Sequence, residues 1–168
     1  MSRTTLQLGR LRIDWDAHAG HHVLALDGQI DERSDLASLV AKLDGNVTFD
    51  LDGVSFINSI GVREWIKLLY GLADRGVKVT LRRCSEAVVH QLNMIIETQT
   101  GATVESFRAP YACGKCGAEA SIVLDVAKHG PALSRRETPA QVCAECSGAM
   151  SFSEVAERYL LFLTLGAP

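Results

Sequence analysis

The chain has 168 residues, enough for one domain or for one domain with a small appendage. It is 47% hydrophobic and 22% charged, the composition of a globular protein that buries a core without disulfide staples. Its 17 basic and 20 acidic residues leave a net charge of −3, which argues against generic nucleic-acid binding. No apolar run approaches the ~20 residues of a membrane span. The best candidate, Tyr159 to Leu165, is far too short. The opening segment MSRTTLQLGRLR lacks the apolar stretch of a secretion signal, so a cytoplasmic location is expected.

The alternating segment Leu8 to Trp15 predicts an edge strand. His18, His21 and His22 follow it and read as surface histidines of a loop. His22 to Leu26 and Val47 to Leu51 are short apolar runs rich in strand formers. Between them Leu36, Leu39, Val40 and Leu43 form a helical stripe, with Ser34 or Asp31 as cap and Gly45 past its end. Asp50 and Asp52 flank Leu51 and are expected on one face, capping the turn into Gly53. Val62, Ile66, Leu69 and Ala73 predict a longer helix that stops before Gly76, with Trp65 as core. Val77 to Leu81 reads as a strand. Cys84 reads as a partly buried, inert thiol. Ser85 is placed to cap a third helix carrying Val88, Leu92 and Ile95. Ala102 to Phe107 closes the series as a final strand. The expected class is α/β, one mixed sheet with helices packed against it, in the order β-β-α-β-α-β-α-β.

The character of the chain changes near Ala109–Pro110, which predicts a first domain over 1–109 and a second unit over 110–168. In the second unit Ile122 to Val126 reads as a strand and Gly130–Pro131 as a turn. Ser151 and Glu154 have the spacing of a capping box, with Met150 and Val155 as the matching staple, so a terminal helix is expected from Ser151. Its stripe is Phe152, Val155, Ala156, Tyr159 and Leu163. Leu160, Leu161 and Phe162 extend apolar surface nearly all round, so it must be buried on the body of the protein, or in part on a second copy in a homodimer or on a partner.

Four of the five cysteines form two C-x-x-C pairs, Cys113/Cys116 and Cys143/Cys146, in a chain without an export signal. Four soft ligands suit one tetrahedral zinc ion. Gly117 and Gly148 sit where such turns need a permissive backbone, and His129 between the pairs reads as surface. The segment Ala112 to Ala149 resembles zinc-ribbon modules. Redox pairs, or iron in a rubredoxin-like site, are the other readings. From Pro110 to Met150, Lys115, Lys128, Arg135 and Arg136 balance Glu119, Asp125, Glu137 and Glu145. That neutrality, without an aromatic stacking platform, favours a structural or protein-binding ribbon over a nucleic-acid one.

Residues His22 to about Phe107 resemble a STAS domain, the fold of anti-sigma-factor antagonists and sulfate-transporter tails. The likeness rests on Leu26-Asp27-Gly28-Gln29-Ile30-Asp31 leaving an early strand, on the strand VTFDLDGV from Val47 to Val54, and on the turn Phe56-Ile57-Asn58-Ser59-Ile60-Gly61. In antagonists of this family the serine after the turn's aspartate is phosphorylated by an anti-sigma kinase, which breaks their complex. Ser59 matches that position. Asn58 stands where the family has aspartate, and Ile60 replaces its second serine. The residues' own reading is that Asn58 and Ser59 cap the helix.

The resemblance thus implies a bacterial-type regulatory protein whose partner is an anti-sigma kinase or a related signalling protein. The partner face would be Asn58, Ser59, Arg63, Glu64 and Lys67, with one zinc held by Cys113, Cys116, Cys143 and Cys146. No phosphate loop, nucleophile elbow, zinc-protease motif or dinucleotide fingerprint occurs, so a binding module is expected rather than an enzyme. The alternatives are a constitutive STAS scaffold, a nucleic-acid-associated ribbon regulator, and a redox enzyme using the cysteine pairs.

Overall fold

The computed structural model describes residues 2–165. The fold is mixed α/β, with two sheets. Strands β1 (Ser2–Leu8), β2 (Leu11–His18) and β3 (His21–Ile30) form an antiparallel meander. Strands β4 (Asn46–Ile57), β5 (Lys78–Arg82) and β6 (Ala102–Val104) then add in parallel, so spatial order follows chain order. The parallel steps need crossovers. A 3-10 helix over Leu36–Lys42 and helices α1 (Ser59–Asp74) and α2 (Glu86–Met94) supply them. Phe49 of β4 meets Trp65 of α1 edge to face at 5.2 Å, and Trp65 donates its indole N–H to Thr98 O at 2.8 Å.

The second sheet is antiparallel, in the order β8 (Glu119–Asp125), β7 (Ser106–Cys113), β10 (Ala149–Phe152), β9 (Gln141–Val142). Helix α3 (Val126–Ser134) follows β8, and two single turns, α4 (Ala156–Tyr159) and α5 (Phe162–Leu165), follow β10.

Several expectations are corrected. The segment Leu8 to Trp15 is not one strand, because Gly9 and Arg10 turn it into a hairpin and β1 takes the sheet edge. The histidines are not in a loop but in β2 and β3. His22 is buried; the Trp15 indole, which can only donate, gives its N–H to Nδ1 at 3.1 Å. The ring proton therefore sits on Nε2, facing the Asp44 carboxylate at 2.8 Å.

The stripe after Ser34 is a 3-10 helix. Its buried Leu36 and Leu39 are three apart, which suits three residues per turn. Neither expected cap serves it: Ser34 Oγ accepts the Asp31 N–H at 3.1 Å, and Asp31 Oδ1 accepts the Arg33 N–H at 2.9 Å. Ala102 to Phe107 is split at Glu105 between the two sheets. Ala109 and Pro110 lie inside β7, so the second sheet starts at Ser106. Gly130–Pro131 is no turn but part of α3, which Asp125 caps by accepting the Lys128 N–H at 2.8 Å.

No helix starts at Ser151. Met150, Ser151 and Phe152 pair with Cys113, Ala112 and Tyr111, and this ladder displaces the local capping pattern. The tail after it nevertheless docks on the first unit. Asn93 donates to Tyr159 O at 2.8 Å and accepts the Phe162 N–H at 2.7 Å. Phe162 is buried edge to face on Phe107 at 5.1 Å, while Leu161 beside it is 38% exposed.

Phe162→Ala should therefore cost about 3–5 kcal/mol of unfolding free energy, through lost burial and the cavity left behind. Leu161→Ala should cost less than about 1 kcal/mol. Denaturant midpoints measure both, and equal effects would remove the tail from the core.

Candidate functional site

Two places carry candidate chemistry. The first is the cysteine cluster. The Cys113 and Cys116 turn follows β7, and the Cys143 and Cys146 turn joins β9 to β10. The two turns are built alike. Cys113 O accepts the Gly117 N–H at 3.0 Å and Cys143 O accepts the Ser147 N–H at 2.9 Å. Cys113 N–H donates to Ala118 O at 2.8 Å and Cys143 N–H to Gly148 O at 2.9 Å. Gly117 and Ser147, each four residues past its cysteine, take positive φ of 76° and 57°.

Gly148, expected to need that conformation, is required for space instead. A Cβ there would lie 2.9 Å from Lys115 Cβ, 3.1 Å from Cys146 Sγ and 3.2 Å from Cys113 Sγ. All four sulfurs lie within 4.8 Å of one another. Sγ of Cys113 is 3.5 Å from that of Cys146, and Sγ of Cys116 is 3.7 Å from that of Cys143. Tetrahedral Zn–S bonds of ~2.3 Å imply S···S edges of ~3.8 Å, so the cluster fits one ion. The backbone N–H groups of Cys116 and Lys115 hold the Cys113 thiol down to about 6. At Cys146 the Gly148 N–H favours the thiolate, yet the neighbouring sulfurs and burial push the thiol up to about 12. Four such groups ionise together only around a cation. His129 lies on α3, outside this cluster.

The second place is the start of α1. Asn58 is its N-cap; Oδ1 accepts the Gly61 N–H at 2.8 Å, and Nδ2 donates to Glu32 at 2.9 Å. That amide and the Glu32 backbone N–H hold the Glu32 carboxyl below its usual range, the backbone bond counting most. Gly61 lets the helix start lie against β3, since a Cβ there would sit 2.1 Å from Ile30 O. Ser59 is exposed on the first turn. Phe56 and Ile60, which bracket it in sequence, are 51% and 45% exposed. Arg63 and Lys67 face solvent. Glu64 does not: its side chain is 18% exposed and accepts a 2.7 Å ion pair from Lys67.

Sequence reasoning missed Glu32, which lies 26 residues before its partner, and it misread Asp50 and Asp52. These two lie within β4, which runs on through Gly53. Asp50 is buried and takes Arg83 at 2.6 Å and Arg82 at 3.1 Å. Asp52 takes Arg108 of β7 at 2.6 Å. The Arg108 hydrogen bond holds the Asp52 carboxyl below its usual range. Cys84 is wholly rather than partly buried, and burial pushes its thiol far up, so it is inert.

No family model and no curated protein matches this chain. Among solved structures, an anti-sigma factor antagonist from Mycobacterium paratuberculosis matches 61% of this chain and 85% of its own. The identity is 19% and the TM-score 0.39. The fold is therefore assigned on its own strand order and register. Among the described residues no helix is long and apolar enough to cross a membrane.

The crowding at Gly148 has a measurable consequence. Gly148→Ala should weaken metal retention more than about tenfold against a competing chelator, the scale of a disturbed ligand environment. Gly114→Ala, whose Cβ would come no nearer than 4.0 Å to Ala149 O, should leave retention unchanged.

Proposed function

We propose that this is a cytoplasmic regulatory binding protein, a STAS-like unit followed by a zinc-ribbon unit that begins with β7 at Ser106, and not an enzyme. The STAS-like reading rests on the sequence resemblance. The observation that carries the binding site is Ser59, exposed on the first turn of α1, with Phe56 and Ile60, which bracket it in sequence, exposed as well. A helix start presents unpaired N–H groups and the positive end of a dipole, so a phosphate there is accommodated by the fold. The same phosphate puts up to about two negative charges in the middle of the docking face. The partner is a protein, an anti-sigma kinase or a related signalling protein, that docks on Asn58, Ser59, Arg63 and Lys67. Phosphorylation of Ser59 releases it.

Ser59→Asp should keep the unfolding free energy within about 1 kcal/mol, as for an acid near a helix N-terminus. It should lose most partner affinity, because its charge would be desolvated at the interface. Ser59→Ala should keep both. Equal affinity for all three proteins, read by calorimetry with the partner kinase, would leave a constitutive docking platform. Asn58, already committed to Gly61 and Glu32, is compatible with that second reading.

The cysteine cluster is proposed to hold one structural zinc on Cys113, Cys116, Cys143 and Cys146. Bound zinc supplies folding free energy to a unit with few buried apolar side chains, on the order of 10 kcal/mol in zinc-finger peptides. Elemental analysis should return one zinc per chain. Cys143→Ser should release it and unfold the second sheet while the first stays folded, as read by amide exchange. A metal-free native protein with reactive thiols would overturn this.

A further inference from the structure

Two surface hollows share Glu86 and Glu154 and so make one trough across the junction of the two sheets. The first, about 690 Å³, lies between α2 and α4; Met94 and Leu161 line it, 65% and 38% exposed. The second, about 510 Å³, continues to Glu119 on β8. Four carboxylates line the trough, those of Glu86, Glu119, Glu154 and Glu157, against the guanidinium of Arg158 and the imidazole of His90. Among the described residues none of the four is in an ion pair. Glu86 accepts the Ser121 hydroxyl at 2.6 Å, and the Arg108 guanidinium, which donates to Ser121 O at 2.8 Å, is a further cation near it.

We infer that this trough docks a basic segment of a partner protein, one with an apolar anchor residue flanked by Lys or Arg. Like charges gathered in one concave place destabilise the free protein and are relieved by a cationic occupant. The exposed methionine and leucine give an anchor residue an adaptable apolar seat. An anionic occupant, nucleic acid included, is repelled. The site uses α2, α4 and β8, so it is separate from the start of α1 and does not rest on the reading of Ser59.

The test uses the full chain and three synthetic peptides of equal length, made of Leu and Lys, of Ser and Lys, and of Leu and Glu. Binding is followed by calorimetry and by amide NMR shifts at physiological salt. The Leu/Lys peptide should bind one per chain, at least tenfold tighter than the Ser/Lys peptide, and the Leu/Glu peptide should not bind. Shifts should centre on Ala87, His90, Met94 and Leu161. Glu154→Lys with Glu157→Lys should weaken binding at least tenfold, and Ser59→Asp should leave it unchanged. Equal binding of the Leu/Lys and Ser/Lys peptides would reduce the effect to bulk charge and overturn the inference. Absence of binding, or shifts centred elsewhere on the wild-type protein, would overturn it without recourse to any variant.

Discussion

Strand β7 holds the two halves of this protein together, and its alternation decides the rest. Phe107, Ala109, Tyr111 and Cys113 all point to one face and are all buried. That face begins in the core of the first unit, where Phe107 meets Phe162, and ends at the cysteine cluster. Its backbone is tied to the first sheet at Cys84, whose N–H donates to Ser106 O at 3.0 Å and whose carbonyl accepts the Arg108 N–H at 2.8 Å. A slip of one residue would turn Phe107 and Cys113 out together. Register in the first core and placement of Cys113 in the cysteine cluster are thus one constraint. The Arg108 to Asp52 ion pair, on the opposite face of β7, holds the same register by charge.

What could be read from the chain was what local pattern carries. Helices α1 and α2 form where stripes were legible, although α1 buries Val62, Trp65, Leu68, Leu69 and Leu72 and leaves Ala73 exposed. Ser85 accepts the Val88 N–H as its position suggested, at 3.3 Å. The core strands β3, β4 and β5 follow apolar runs. The C-x-x-C pairs showed two matched turns because both ends of each turn are local. Patterns failed where a distant partner outbid a local one. Ser151 and Glu154 spell a helix start, but Met150 lies opposite Cys113 in the ladder, and the strand wins. Asp50 looked like a strand-end cap because its arginines lie more than thirty residues away. At the second cysteine turn the glycine was read as a conformational need. Ser147 meets that need, and Gly148 is small because two sulfurs crowd it.

The start of α1 shows the same division. Asn58 as a cap was legible, since its bond to Gly61 spans three residues. Its second bond, to Glu32, was not. That bond fixes which way the amide faces, because only the nitrogen can donate to a carboxylate. The segment after β3 and the start of α1 are therefore held as one piece, with Gly61 flush against Ile30 O beneath. Any group added at Ser59 meets an organised surface rather than a loose loop end.

Beyond Phe107, which packs in the first core, the second sheet and α3 bury few large apolar side chains, chiefly Tyr111, Leu124, Leu133 and Met150. Aromatic contacts extend it toward the tail, Tyr111 to Phe152 at 5.9 Å and Phe152 to Tyr159 at 5.4 Å. Tyr159 then donates its hydroxyl to Arg108 O at 2.6 Å, returning the chain to β7. A unit this thin depends on whatever its cysteines hold at one end and on the first unit at the other. The acidic trough is walled by α2 on one side and by α4 and β8 on the other, so it exists only while both supports are in place. Loss of order at the cysteines would reach that surface through β10 and the aromatic contacts, whereas a charge at Ser59 would leave it intact.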